Sequence, residues 1–211
     1  MPVILLCFII FVLILKYKLY VAKREEQARE EHLRQLERRA SLPIKKSLQS
    51  LPKITISLSK LPLQENTTDE IASCQDTIQT LSSQTICNLS GMSNLELKLK
   101  YGAGNLDVLL EYEQNYLLLI RTLTDWGTQL YEQHNCKDAE TVLDYAVSCQ
   151  SDLRQTYIIL TKIYLKQDNL EKVHILAKKT ENISSVLDLK KTIYDVINEM
   201  DYETCFQNIT Q

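Results

Sequence analysis

Four glycines and four prolines in 211 residues leave too few turn formers for an all-β fold built on tight turns. The six cysteines contain no C-x-x-C pair, so neither a disulfide framework nor a zinc site is indicated. The three histidines stand far apart, at 32, 134 and 174. His134 with Cys136 and Cys149 meets no recognised ligand spacing, so no metal is expected. No excess of basic charge is present either. The formal net charge is -3, which speaks against DNA or RNA as the main ligand. Phosphate-cradling, dinucleotide, nucleophile-elbow and zinc-protease signatures are all missing, and with them any sign of an enzyme or a cofactor. What is there is ordinary for a folded chain: 45% hydrophobic and 24% charged residues.

The net charge conceals a division. Residues 1–62 hold twelve Lys or Arg against five Glu, whereas residues 63–211 hold twelve basic and twenty-two acidic side chains. Residues 1–15, MPVILLCFIIFVLIL, carry no charged side chain and make a helix of about 22 Å. Continued to residue 22 the helix reaches about 33 Å, enough for a hydrocarbon core of roughly 30 Å, with Lys16 and Lys18 snorkelling and Tyr17 and Tyr20 at the interface. No basic n-region or small-residue cleavage site accompanies the run, so residues 1–22 read as an uncleaved single-pass anchor. Lys16, Lys18, Lys23, Arg24 and Arg29 follow it closely. The positive-inside rule then puts the N-terminus outside and the C-terminal domain in the cytoplasm, with the basic flank beside anionic lipid.

Residues 23–40 are rich in helix formers and contain the i,i+4 pairs Glu25–Arg29 and Glu30–Arg34, predicting a charged helical stalk that stops near Pro43. Residues 41–105 read as a low-order linker, with Leu-Pro at 42, 51 and 61. Within it Thr67 and Glu70 form a T-x-x-E capping box. Ile71, Cys74, Ile78 and Leu81 then predict a short amphipathic helix over about 68–81. Ile54, Ile56 and Leu58 alternate, as do Leu95, Leu97, Leu99 and Tyr101, leaving a small strand pairing open, with irregular chain favoured for the first segment and helix or irregular chain for the second.

From residue 106 the pattern is continuously helical, and it repeats with a period of thirty-four. Leu123 aligns with Tyr157, Trp126 with Leu160, Gly127 with Thr161, Leu130 with Tyr164, Ala139 with Val173 and Leu143 with Ala177. Residues 120–187 resemble two tetratricopeptide repeats, each a helix, a polar turn (134–137; 167–169) and a second helix. The residue composition, rich in Lys, Ile, Asn and Tyr, fits a bacterial, membrane-anchored member. Residues 106–120 ahead and 184–200 behind would cover the ends, the latter as a capping helix with Val186, Leu189, Ile193, Val196 and Ile197 inward. The expected fold is therefore all-α: anchor, stalk, linker, antiparallel helical hairpins over 106–200, and a tail at 201–211.

The resemblance implies a groove for a protein or peptide partner. Its positions would be Arg121, Thr124, Thr128 and Tyr131 in the first repeat and Gln155, Ile158, Lys162 and Leu165 in the second. Thr124 and Thr128 stand where a carboxylate clamp would be, which disfavours capture of a chain terminus and favours an amphipathic segment. A membrane-tethered interaction adaptor is the expected function. Two alternatives are a structural accessory subunit of a membrane complex and, in the reverse topology, an exported surface protein. The N-x-S/T sequons at Asn66, Asn88, Asn182 and Asn208 argue for the last.

Overall fold

Good helix formers run unbroken to residue 40, and the chain there is one helix, α1 (Pro2–Ala40). The computed structural model describes the backbone of residues 2–64, 67–181, 183 and 188–209, and the side chains of residues 10–64, 67–181, 183 and 188–200. Eight α-helices follow one another among them: α1, α2 (Asp69–Ser82), α3 (Asn94–Tyr101), α4 (Leu106–Glu132), α5 (Cys136–Ser148), α6 (Arg154–Lys166), α7 (Leu170–Thr180) and α8 (Leu189–Ile209). Two short strands, β1 (Lys53–Ile54) and β2 (Ile86–Cys87), pair antiparallel. The chain divides into two compact units, residues 1–48 with 92–107, and residues 49–91 with 108–211.

In the first unit, α1 carries the Glu30–Arg34 ion pair at 3.3 Å and ends where Ser41 turns its hydroxyl back to the Glu37 carbonyl. Among the described residues no helix is long and apolar enough to cross a membrane. The side chains of residues 1–9, the more apolar part of the expected anchor, lie outside the described residues. From residue 10 onward the helix shows Phe11, Leu13, Leu19 and Tyr20 exposed at 60 to 65%. Beyond Pro43 the chain lies along the end of α3. The Lys46 amide donates to the Tyr101 carbonyl, and Asn105 Nδ2 to the carbonyls of Lys46 and Tyr101. Gly102 is required at this crossing: its φ is +89°, and a Cβ would lie 2.9 Å from the Ile44 carbonyl carbon.

The second unit corrects the expectation of a low-order linker. Ile56, Leu61, Ile71, Ile78, Leu81 and Ile86 are buried in the same apolar cluster as Leu123 and Trp126, because these side chains have an apolar wall to cover. Ile54, read as part of irregular chain, pairs with Ile86, whereas residues 95–101 belong to α3. The amphipathic helix begins at Asp69 with Thr68 as N-cap, and no side-chain cap bond forms there, so the Thr67–Glu70 capping box is not made. A full capping box stands instead at Ser93 and Glu96, ahead of α3.

The thirty-four-residue repeat is written into the backbone. Asn135 and Asn169 both cap second helices, their side chains accepting from the amides of Asp138 and Lys172. His134 and Asp168, one position earlier, both adopt positive φ, 61° and 53°. The Asn135 and Asn169 amides then close back onto the carbonyls of Leu130 and Tyr164, both at 2.9 Å. All twelve residues of the sequence alignment are buried. The first hairpin is α4–α5 and the second α6–α7, and α8 packs on both α6 and α7 as a terminal helix. Leu189, Ile193 and Val196 are its buried apolar residues, Thr192 is buried beside them and Ile197 is half-buried; Val186 lies outside the described residues, as do the side chains of 201–211. Two boundaries differ: residues 106–132 form a single helix, since nothing near residue 120 breaks it, and α8 continues to Ile209, through residues expected as a tail from 201, because no glycine or proline stops it.

The two helices of the first hairpin meet at Gly127, where a Cβ would stand 2.5 Å from Leu143 Cδ2. Trp126 beside it is fully buried, and its Nε1 has no hydrogen-bond partner among the described residues, so the indole acts through packing. Gly127→Ala is expected to destabilise the domain by about 1–3 kcal/mol through overpacking, and Trp126→Ala by about 3–5 kcal/mol through the cavity it leaves. Urea melts of single variants check both. In the double variant Gly127→Ala/Leu143→Ala the two costs are expected to be less than additive, and simple additivity would rule out the close approach.

Candidate binding face

α4 and α6 are neighbours, joined by a buried hydroxyl pair. Thr124 Oγ1 lies 2.8 Å from Thr156 Oγ1, and the Thr124 hydroxyl also donates to the Ile120 carbonyl at 2.7 Å. Thr124, expected in the groove, is only 3% exposed and serves this helix contact; the small β-branched side chain lets the two helices close over it. The other seven expected residues are not buried. Arg121 and Gln155 are exposed, while Thr128, Tyr131, Ile158, Lys162 and Leu165 are half-buried. Thr128 Oγ1 donates to the Thr124 carbonyl. Tyr131 and Leu165 rest on the apolar core, and Lys166 Nζ stands 4.8 Å above the Tyr131 ring, a cation–π contact linking the ends of α4 and α6.

The docked helix α2 alters what lies beside this face. It packs on the flank of α4 and leaves a cleft of about 630 Å³, lined by Asp69, Glu70, Asp125, Thr128, Gln129 and Glu132. The cleft is acidic. Sequence reasoning missed it because α2 was placed in a linker with no surface of its own. Among the described residues no group of three or more His, Cys, Asp or Glu is arranged to hold a metal. Cys74, Cys87, Cys136 and Cys149 are unbridged, and burial raises the thiol pKa of Cys74, Cys87 and Cys149.

Behind the face, tyrosine hydroxyls satisfy the connection between the hairpins. Tyr116 donates to the Gln150 carbonyl at 2.8 Å and Tyr157 to the Ser151 carbonyl at 2.6 Å. Both phenols are pushed well above their ordinary pKa, by burial first and then by nearby Asp152, so they remain donors. The Asn88 amide donates to Tyr116 Oη and its carbonyl oxygen accepts from the Ser90 amide, so this sequon is part of the same network. Asn66 and Asn182, and the side chain of Asn208, lie outside the described residues.

Glu140 of α5 bridges the two hairpins. It accepts from Lys172 of α7 and, at 2.8 Å, from Gln167 Nε2. Burial opposes its charge, but the bonds from Lys172 and Gln167 outweigh that penalty and hold the carboxyl below its ordinary pKa. No family model, curated protein or solved structure matches this chain. A depressed carboxylate pKa contributes stability that is complete above the unfolded value and is lost as the pH falls through the folded one. Glu140→Gln should therefore destabilise at neutral pH, with the gap to wild type closing between about pH 5 and pH 3. Thermal melts across that range test this, and a gap independent of pH would remove the ionic bridge.

Proposed function

We propose that the protein is a membrane-tethered interaction adaptor whose helical-hairpin domain presents the α4–α6 face to a protein partner in the cytoplasm. The observation that carries this reading is the doubled hairpin. Two copies of one thirty-four-residue unit, with matching caps at Asn135 and Asn169, set α4 and α6 side by side and expose equivalent positions on each. Such stacking makes extended recognition surfaces. The likeness to tetratricopeptide repeats belongs to this proposal and rests on the residue frame given above. Arg121, Gln155, Ile158 and Lys162 offer two cations, an amide and an apolar side chain, suited to an amphipathic segment with acidic residues on its flank.

The tether belongs to the same proposal. The uncharged run at 1–15 is continuous with an α1 whose Ile10, Phe11, Leu13 and Ile14 are each 48 to 61% exposed. A helix face of this kind is covered by lipid or by another helix. The basic residues at 16, 18, 23, 24 and 29 favour the orientation with the hairpin domain on the cytoplasmic side. Asn88 supports that side: its amide is committed to Tyr116, so the sequon has a structural explanation.

Two measurements test the reading. Arg154 is exposed at the start of α6, and Arg154→Cys should react with a membrane-impermeant maleimide only after cells are lysed. Labelling in intact cells would reverse the topology. Arg121→Glu/Lys162→Glu should leave the melting temperature unchanged while lowering recovery of the cross-linked partner roughly tenfold; equal recovery would remove the α4–α6 face from partner binding.

A further inference from the structure

A stacked helical array needs a polar outer surface on its last element, because no further repeat covers it. The last hairpin here departs from that rule. Leu170 and Ile175 of α7 are 63% and 49% exposed, and Tyr194 of α8 is 44% exposed. With Ala177 they line a groove of about 670 Å³ between α7 and α8. A patch of this kind on a folded domain marks an association surface.

The charges around the groove say what fits it. At the end where α7 leads into α8 stand Lys178, Lys179, Lys190 and Lys191, with Lys190 bridged to Glu181 at 2.8 Å. At the opposite end stand Glu171 and Glu199, both exposed. The face is thus basic at one end, acidic at the other and apolar between. A two-fold axis through the apolar middle would lay the basic end of one chain on the acidic end of another, satisfying both at once. Along α8 the outward residues Lys191, Asp195 and Glu199 are spaced by four, so antiparallel helices would set Lys191 against Glu199 twice and Asp195 against its own copy between them, two opposite-charge pairs against one like-charge contact.

We infer that the α7–α8 face is the site of self-association, and that its occupant is the same face of a second copy of this chain. The contact is isologous, with Ile175 and Tyr194 near the axis and the Lys191–Glu199 pairs at its two ends. It is separate from the α4–α6 face, so its success or failure is independent of partner binding there.

The test uses the full chain in detergent micelles, with sedimentation velocity as the readout. Wild type is expected to sediment as a dimer. Lys191→Glu and Glu199→Lys should each raise the dissociation constant roughly tenfold or more, whereas the double exchange should restore pairing, since the charges then meet again with signs reversed. Ile175→Asp should leave a monomer. All of these positions are exposed, so each variant is expected to keep the helical content of wild type, while the monomeric variants lose only the share of melting temperature that association adds. In a second measurement, disulfide trapping should link Tyr194→Cys to its own copy and leave Leu117→Cys, exposed on α4, unlinked. A monomeric wild type would overturn the inference, and so would a double exchange as weak as either single one. A dimer that survives Ile175→Asp and every charge variant would also overturn it, because another surface would then hold the chains together.

Discussion

The arrangement of the helical domain depends on how closely α4 and α5 can approach, and that is set at Gly127 against Leu143. With Leu143 pressed on the bare backbone of α4, Trp126 on one side and Leu130 on the other can both be fully covered. The second hairpin solves the same steric problem with the sizes exchanged. At the positions thirty-four residues on, Thr161 replaces the glycine and Ala177 the leucine, both buried, so the summed size of the two side chains is roughly kept. This compensation explains why the repeat survives as geometry where single positions differ. It also explains why α6 tolerates a hydroxyl at that point: Thr161 Oγ1 returns to the Tyr157 carbonyl and carries no unmet polar demand into the seam.

Close packing of helices leaves their ends to be satisfied locally, and here that is done with very little glycine. α4, α5 and α6 each end at a non-glycine residue in the left-handed region, His134, Gln150 and Asp168, and each is closed by a bond from the following amide to a carbonyl in the last turn. The cost of positive φ at these residues is offset by the capping bonds and by the tyrosines that reach the connection between hairpins. Tyr116 and Tyr157 hold the carbonyls of Gln150 and Ser151, and Ser57 donates its amide to Tyr145 Oη, which fastens residues 49–61 to α5. The same polar bonds that finish the hairpins thus recruit the preceding segment into the domain.

That recruitment marks where the sequence was legible and where it was not. The hairpins were legible because their signal is local: a thirty-four-residue period and polar turns lie within one helix length of the residues they control. Helix α2 was legible from its own periodicity, but the docking of residues 49–91 was not, since Ile56, Leu61 and Ile86 are isolated apolar residues in a stretch of Ser, Lys and Pro, and only a distant apolar wall makes their burial favourable. The candidate face was legible in part. Arg121 and Gln155 stand clear and Ile158 and Lys162 are half-buried, but Thr124 turned inward, because a threonine fits equally well on a rim or across a helix contact, and the partner hydroxyl at Thr156 lies thirty-two residues away. The acidic cleft under α2 depends on the same long-range docking and had no local signature at all.

Charge division and apolar exposure pull in one direction when taken together. The N-terminal third is basic and the remainder acidic, so contacts of the acidic domain with an anionic surface are disfavoured while the stalk is attracted to it. Under the proposed anchoring, chains are confined to a thin layer, and confinement raises the effective concentration of any surface that can pair with itself. A contact through α7 and α8 therefore need not be strong in dilute solution to be populated at the membrane. A balanced face, with Lys191 and Glu199 on the same helix, suits that role better than a large apolar one. It allows pairing where chains are concentrated, and it leaves Ile175 and Tyr194 flanked by charge, and so soluble, where they are not.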